Sequence, residues 1–223
     1  MRQTIALVLV TTVLLAGCAT TGRAPYPATL DAREAVFAKA VSCCTDPSGL
    51  NYVQLPDAGT LDVVIGRSSP AFDFQSGLSP YAAFRLPDGD KPFRVQVKSY
   101  FEGPEPQGSI FYPVLAMMDD LFIVTRISNL NNLQLDQGLT LPDDAPGLAV
   151  TAPFDPNLSK ERYLVVFTPA ALLGSPPALH RDGDILTAPT LAWLQHHAGG
   201  AVPASPYGHL RIIVAPESLP GPG

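Results

Sequence analysis

The sequence predicts a mainly β protein, in which an antiparallel β-sandwich is preceded by a short helix and followed by a small α+β domain. Proline accounts for 24 of the 223 residues, about twice its usual share of roughly 5%, and proline interrupts helices and central strands. Apolar residues recur at every second position over much of the chain, which is the period of a strand with one buried face. Turn residues separate these runs at intervals of about 8–12 residues, as is typical of an antiparallel sandwich.

Composition and charge narrow the classes of function. Hydrophobic residues make up 46% of the chain and charged residues 15%, so the chain can bury a core and does not have the composition of a disordered protein. The formal net charge is −6, and no basic run occurs. Because binding to a nucleic-acid backbone requires a cationic surface, we expect no nucleic-acid partner.

The N-terminus has the features of an exported lipoprotein. A single positive charge at Arg2 precedes an apolar run over residues 5–16, which is shorter than the roughly 20 residues that span a bilayer as a helix and is typical of an export signal. The tetrapeptide LAGC that ends at Cys18 resembles a bacterial lipobox. We therefore interpret residues 1–17 as a lipoprotein signal peptide and Cys18 as the lipid attachment site; the alternative is an ordinary signal peptide that a cysteine follows by chance.

The residue after Cys18 bears on localisation. It is Ala19 and not aspartate, which by resemblance to other bacterial lipoproteins favours the outer membrane over the inner membrane. Several acyl chains on one cysteine give a stable anchor where a single chain does not. The prediction is a protein attached by its N-terminal lipid to the periplasmic face of the outer membrane.

A tether and a short helix follow the anchor. Residues 18–30 are small, polar and proline-containing, and residues 19–29 can stretch at most about 35–40 Å, which keeps the folded body near the membrane. Residues 31–56 are predicted to be an N-terminal helix and a connection. Asp31 is the expected N-cap, with Glu34 three residues later, as in a capping box. One apolar stripe follows from the helical spacing of Ala32, Val36, Phe37, Ala40 and Val41.

Two of the three cysteines remain if Cys18 carries lipid. Cys43 and Cys44 are adjacent, so their Cα atoms lie about 3.8 Å apart, below the usual minimum of about 4.4 Å for a disulfide. The sequence leaves several states open: a vicinal disulfide with a structural role, two reduced and buried thiols, an intermolecular bridge, or a metal site with partners that the spacing does not reveal.

The sandwich is predicted over residues 57–140. The clearest alternation places Phe93, Val95 and Val97 on the buried face. Two apolar runs on either side of Asp119 and Asp120 predict a second hairpin, with the two carboxylates in its turn.

Two interpretations of residues 68–88 are a hairpin that fills the core and a platform that binds a ligand. Phe72 and Phe74 alternate with polar residues, a Ser-Gly turn follows, and a second alternating run contains Phe84. Since turn residues between two alternating runs are typical of a hairpin, we expect this segment to be a hairpin whose aromatic side chains fill the core.

The last part of the chain has a different sequence pattern. Residues 141–156 are rich in proline and aspartate and are expected to form a connection. A strand pattern (RYLVVFT), a helix pattern (PTLAWLQHHAGG) and a second strand pattern (HLRIIVA) then follow one another, which predicts a small α+β domain over residues 157–216. Residues 217–223 are expected to be a disordered tail.

Motifs that would indicate an enzyme do not occur. The sequence has no G-x-S-x-G elbow, no H-E-x-x-H pair and no glycine-rich phosphate loop. His196 and His197 are adjacent, and on a helix they would point about 100° apart, which does not suit a shared metal as an i, i+4 pair does. We expect no catalytic residues, no metal and no cofactor.

Three segments together resemble the maltose operon periplasmic protein (MalM) family. They are SPYAAFRLP (residues 79–87), IFYPVLAMMDDLF (residues 110–122) and RYLVVFT (residues 162–168), and the Cys43–Cys44 pair before LNYVQLP is similar to a pattern in some members. The resemblance covers most of the mature chain and differs in that this chain has a lipobox. It implies an exported, β-rich, non-enzymatic protein linked to maltodextrin uptake, with no catalytic residues.

Two functions of different class follow. In the first, the lipoprotein is accessory to the binding or transport of maltodextrin or another oligosaccharide, since sugar sites combine an aromatic face with polar groups. In the second, it is an envelope adaptor that docks a transporter or an outer-membrane protein through an apolar surface or a strand edge, without binding sugar. The candidate sugar-binding side chains, expected on outward strand positions, are Tyr81, Arg85, Lys98, Tyr100 and Tyr112.

Overall fold

The structure is a computed structural model, and it describes residues 40–102, 108–136, 145–174 and 202–217. Within these ranges the chain forms strands, one short α-helix and two 3-10 turns, at Pro47–Gly49 and Leu130–Asn132. In chain order, the elements are β1 (Tyr52–Gln54), β2 (Gly59–Ile65), β3 (Ala71–Phe74), β4 (Gly77–Arg85), β5 (Phe93–Glu102), β6 (Ser109–Ile110), β7 (Val114–Asp119), β8 (Val124–Ile127), β9 (Gln134–Asp136), β10 (Gly147–Phe154), β11 (Glu161–Phe167), α1 (Ala170–Gly174) and β12 (Gly208–Pro216).

The strands form two sheets. Sheet 1 has the order β1-β4-β11-β7-β8, and β3 also pairs with β4. Sheet 2 has the order β2-β12-β5-β10-β9, and β6 also pairs with β5. Among the described strands the pairs are antiparallel except for β1 and β4, which run parallel. The predicted mainly β sandwich is confirmed.

The main core lies between the two sheets. Alternate residues of β5, including Val95 and Val97, meet alternate residues of β11, including Leu164 and Val166, and all four are fully buried in one hydrophobic cluster. The predicted inward face of β5 is therefore correct. Phe84 of β4 joins the same cluster, so the β3–β4 hairpin does bring an aromatic side chain into the core, as expected.

The strands expected in a separate α+β domain belong to the sandwich. β11 lies between β4 and β7 in sheet 1, and β12 lies between β2 and β5 in sheet 2. β10, in the segment expected to be a connection, pairs with β5 along its whole length. A continuous apolar run such as that of β11 is typical of a strand buried on both faces, and such a strand requires neighbours from elsewhere in the chain. For the described strands, residue 157 is thus not a domain boundary.

Several predicted segments lie outside the described residues. They are the signal peptide with Cys18, the tether, residues 31–39 of the N-terminal helix, the helix pattern that contains His196 and His197, and residues 218–223 of the tail. In the part of the chain that is described, no helix has the length and apolar character needed to cross a membrane.

Candidate functional site

Sheet 1 is apolar on its outer face as well as on the face toward the core. A second hydrophobic cluster lies on this outer face, built from alternate residues of the three central strands. Its members on those strands are Tyr81 and Ala83 of β4, Val165 and Phe167 of β11, and Val114, Ala116 and Met118 of β7. Removing apolar surface from water is favourable. We therefore expect other side chains to cover this outer face.

The segment before β1 supplies part of that cover. The Cys43 N–H donates to the Ala71 carbonyl at 2.8 Å, and Leu50 is buried in the outer cluster. Asp46 caps the intervening 3-10 turn by accepting hydrogen bonds from the Ser48 hydroxyl and N–H, which hold the pKa of this carboxyl below its usual value. This segment therefore lies across the β3 side of sheet 1.

A disulfide joins Cys43 and Cys44 within this segment. The Tyr81 hydroxyl lies 3.3 Å from Cys43 Sγ and, since the bonded sulfur has no hydrogen, donates to it. The Asn51 N–H in turn donates to the Tyr81 hydroxyl at 3.4 Å. The cysteine pair is thus attached to the outer face of sheet 1 through a side chain of β4.

The remainder of the outer face forms a groove, which we call the sheet-1 groove. Its volume is about 540 Å³. Its floor consists of Val114, Ala116, Met118, Val165 and Phe167, its wall of Pro47, Leu50, Phe72 and Phe74, and its opposite rim of Val124 and Ile127 of β8. Asp73 is the only charged residue among those described that line it.

Two of the hairpin aromatics line this groove and do not enter the main core. Phe74 stacks on Phe167 with ring centroids 4.0 Å apart, and Phe72 meets Phe74 edge-on at 5.0 Å. Both are half-buried, whereas Phe84 is fully buried. The expectation that the hairpin aromatics fill the core is therefore correct for Phe84 only, because the side chains of Phe72 and Phe74 pack against the cluster on the outer face of the sheet.

The predicted sugar-binding residues do not form one site. Tyr81 and Tyr112 are buried, and the Tyr112 hydroxyl donates to the Val202 carbonyl at 3.2 Å. Burial raises the pKa of both tyrosines above the ordinary value. Arg85 is exposed on sheet 1, 3.8 Å from Asp88, while Lys98 lies on β5 in sheet 2. Tyr81 and Tyr112 are thus corrected from surface candidates to structural residues. Tyr81 is on the outward side of β4, but the apolar outer cluster covers it, and Tyr112 lies between β6 and β7 in the main core and not on an outward strand position.

Lys98 and Tyr100 do meet, on the outer face of sheet 2. Lys98 is buried, pairs with Asp136 at 3.2 Å and lies 5.2 Å from the centre of the Tyr100 ring. From β12, the Arg211 guanidinium lies 5.6 Å from the same ring and the His209 ring 5.4 Å from it. We call these residues the Tyr100 cluster. Sequence reasoning missed Arg211 and His209, although the period-2 alternation of β12 places both on its outward face.

A second, smaller cavity lies on the same face of sheet 2. It has a volume of about 250 Å³ and is lined by Arg94, Gln96, Thr151, Ile213 and Ala215. This face is more polar than that of sheet 1. Among the described residues, no group of three or more histidine, cysteine, aspartate or glutamate side chains is placed to hold a metal ion.

The two outer faces differ in the chemistry that they offer. Sheet 1 presents aromatic, methionine and branched aliphatic side chains, whereas sheet 2 presents a tyrosine ring beside two cations and a histidine. No model of a known protein family matches the chain, and no curated protein matches it.

Proposed function

We propose that the chain is a non-enzymatic lipoprotein on the periplasmic face of the outer membrane, in the maltose operon protein family, and that it acts as an envelope adaptor. Its working surface is the sheet-1 groove, through which it docks a transporter or an outer-membrane protein. The observation that carries this proposal is the apolar outer face of sheet 1, which none of the described residues covers between the β3 wall and the β8 rim.

The composition of the groove suits contact between proteins. The buried centres of protein interfaces are depleted in charge and enriched in aromatic residues and methionine. Phe72, Phe74, Phe167 and Met118 match that composition. Acid–base or nucleophilic chemistry needs titratable groups placed together, and Asp73 is the single such group among the described lining residues.

The family assignment is supported by the placement of the segments that resemble the family. Residues 79–87 contain most of β4, residues 110–122 contain β7, and residues 162–168 contain most of β11. These three strands are neighbours in sheet 1: β7 and β11 form the groove floor, and β4 belongs to the same outer hydrophobic cluster. The resemblance therefore falls on the sheet that we propose to be functional.

The anchor supports the same role. A lipid on Cys18 and a tether of at most about 35–40 Å would hold the groove within reach of proteins in the outer membrane. A two-dimensional search near the membrane raises the effective concentration of such partners.

Site-specific photo-crosslinking in intact cells tests the adaptor role. A photoreactive residue at Gln75, exposed on the groove rim, should yield a crosslink to one envelope protein, identified by mass spectrometry. The matched control is Thr60, which is exposed on β2 of the other sheet. An absence of crosslinks at Gln75, or the same products from both positions, would contradict the proposal.

A second candidate function, maltodextrin binding, is favoured by the Tyr100 cluster. The partly exposed Tyr100 ring lies beside Arg211 and His209, which are also partly exposed and can donate hydrogen bonds to sugar hydroxyl groups, while the buried Lys98 holds the ring from within the cluster. Calorimetry of the soluble form, which lacks residues 1–18, against a panel of maltodextrins measures this function. Heat of binding that Tyr100→Ala abolishes and Phe72→Ala leaves unchanged would support sugar binding, whereas no heat across the panel would reject it.

A further inference from the structure

The N-terminal part of the chain joins the described structure beside the sheet-1 groove. The first described residue is residue 40. Two positions later, Ser42 forms a parallel bridge with Ala71 of β3, and the Cys43 N–H donates to the Ala71 carbonyl at 2.8 Å. The next residue of β3, Phe72, lines the groove wall. The segment that precedes residue 40 is therefore attached at the wall of the groove.

Exposed apolar side chains lie on both sides of the groove. Val41, immediately before the bridge to β3, is 84% exposed. On the opposite rim, Val124 and Ile127 of the edge strand β8 are 47% and 59% exposed. Since contiguous exposed apolar surface marks a site of interaction, these side chains and the apolar floor between them indicate that a further apolar element covers the groove.

Residues 31–39 have the length for such an element. Residues 40 and 41 lie outside any helix, so the predicted N-terminal helix can extend over residues 31–39 at most, which corresponds to about 14 Å. The floor from β11 to β8 spans two strand spacings, or about 10 Å. A helix of this length can thus reach from the β3 wall to the β8 rim.

The apolar side of the predicted helix matches the groove floor in chemistry. Helical spacing places Ala32, Val36 and Phe37 on one side, and the floor consists of branched aliphatic, alanine, methionine and phenylalanine side chains. Arg33 lies on the same side near the far end of the helix, where its long stem allows the guanidinium to reach solvent at the rim. The segment can therefore bury its large apolar side chains without burying a charge.

The other long segment outside the described residues, 175–201, is attached elsewhere. Leu173 and Val202, near its two ends, both belong to the main core between the sheets. The chain thus leaves the described structure and returns to it at the inner faces of the sheets, whereas the N-terminal segment joins it at the outer face of sheet 1. This difference favours the N-terminal segment as the occupant of the groove.

We infer that residues 31–39 occupy the sheet-1 groove of their own chain as a helix, with Val36 and Phe37 on the floor and the N-terminal end of the helix at the β8 rim. This cover does not rest on the proposed adaptor role, but its displacement by a partner does. A partner that docks in the groove must displace the helix, so the helix regulates access to the groove. Crosslinking at Gln75 in cells tests the adaptor role, and the two experiments below test the cover.

Photo-crosslinking within the purified full-length chain identifies the occupant. A photoreactive residue at Ile127 should give a crosslink to a peptide from residues 31–39, whereas one at Val64, which is 67% exposed on β2 of the other sheet, should not. Mixing isotope-labelled and unlabelled copies before irradiation separates crosslinks within one chain from those between copies. Absence of the crosslink to residues 31–39, or its presence only between copies, overturns the inference, whether or not Ile127 crosslinks to residues 175–201 or to another protein.

A second measurement uses the reactivity of a thiol on the rim. Ile127→Cys in the full-length chain is alkylated with a maleimide, and labelling of the parent chain is subtracted. Val36→Asp with Phe37→Asp should raise the rate about tenfold or more, because the two side chains no longer favour burial on the floor. Ala35→Asp with Ala38→Asp, on the opposite side of the helix, should leave the rate unchanged. Circular dichroism checks that both variants fold, and equal alkylation rates in the two would overturn the inference.

Discussion

Phe84 has the clearest energetic role of any single side chain in the core. It is 2% exposed and belongs to the cluster between the two sheets. Phe84→Ala should lower the free energy of unfolding by about 3–5 kcal/mol, because the lost apolar contacts leave a cavity. Denaturant-induced unfolding measures this change. Phe72→Ala, at a half-buried position of the groove wall, should cost clearly less, and an equal loss for both would contradict the assignment of the two aromatics to different surfaces.

Asp119 and Asp120 have different roles in the β7–β8 turn. The Asp119 carboxylate accepts hydrogen bonds from the N–H groups of Leu121 and Ile123, each at 2.9 Å. Asp120 is exposed in the turn. Asp119→Ala should therefore lower the free energy of unfolding by about 1–2 kcal/mol, whereas Asp120→Ala should change it by less than about 0.5 kcal/mol. Thermal or denaturant unfolding compares the two, and equal effects would mean that the carboxylate does not organise the turn.

At the scale of the strands, Glu161 connects the edge of sheet 1 to its centre. It lies at the start of β11 and accepts hydrogen bonds from Thr125 and Arg126 of β8. Glu161 is buried, whereas the Arg126 side chain is 38% exposed, so solvent screens part of the attraction. Glu161→Gln should cost about 1–2 kcal/mol of unfolding free energy.

Asp62 provides the matched control for this ion pair. It pairs with Arg211 at 2.9 Å, but its side chain is half exposed. Exposed pairs contribute about 0–1 kcal/mol, so Asp62→Asn should be nearly silent in the same unfolding measurement. A larger loss for Asp62→Asn than for Glu161→Gln would reverse the order that burial predicts.

The segment that crosses sheet 1 adds a covalent feature. The Cys43–Cys44 bond lies beside the Tyr81 hydroxyl, within the cover of the outer face. We expect the non-reduced protein to give a peptide that contains both cysteines and is two hydrogens lighter than its reduced form. Mass spectrometry measures this difference, and alkylation of both cysteines without a reductant would exclude the bond.

Sequence periodicity predicted the strands well and their surroundings poorly. Alternation assigned Phe93, Val95 and Val97 to the inner face of β5 because side chains of a strand alternate regardless of its neighbours. The same alternation placed Tyr81 and Lys98 outward, and both are buried. What covers an outward face depends on segments distant in sequence, here residues 43–50 over Tyr81 and Asp136 beside Lys98.

The order of the strands in each sheet cannot be predicted from a local sequence pattern for the same reason: it depends on residues distant in sequence. β11 pairs with β4 and β7, and β12 pairs with β2 and β5, so each sheet is completed by strands from the last part of the chain. The alternation of helix and strand patterns over residues 157–216 predicted that β11 and β12 belong to a separate domain. Only the pairing of distant strands places them in the centre of the sandwich.

At the scale of the whole molecule, the outer faces of the two sheets differ in polarity. Sheet 1 offers the apolar groove and the β8 edge, and sheet 2 offers the Tyr100 cluster. A protein partner on sheet 1 and a sugar on sheet 2 would not compete for the same side chains. The calorimetric and crosslinking experiments therefore report on separate surfaces, and each can fail without the other.

The location of the molecule depends on Cys18, which is the proposed acceptor of lipid. Cys18→Ser should abolish labelling with a radioactive or alkyne-tagged fatty acid and leave an uncleaved precursor, because the thiol is the group that is acylated and cleavage follows acylation. Cys43→Ser with Cys44→Ser is the matched control, since it removes the other two thiols and should leave labelling intact. Labelling that persists in the Cys18→Ser variant would exclude the lipoprotein anchor, and with it the placement of the sheet-1 groove near the outer membrane.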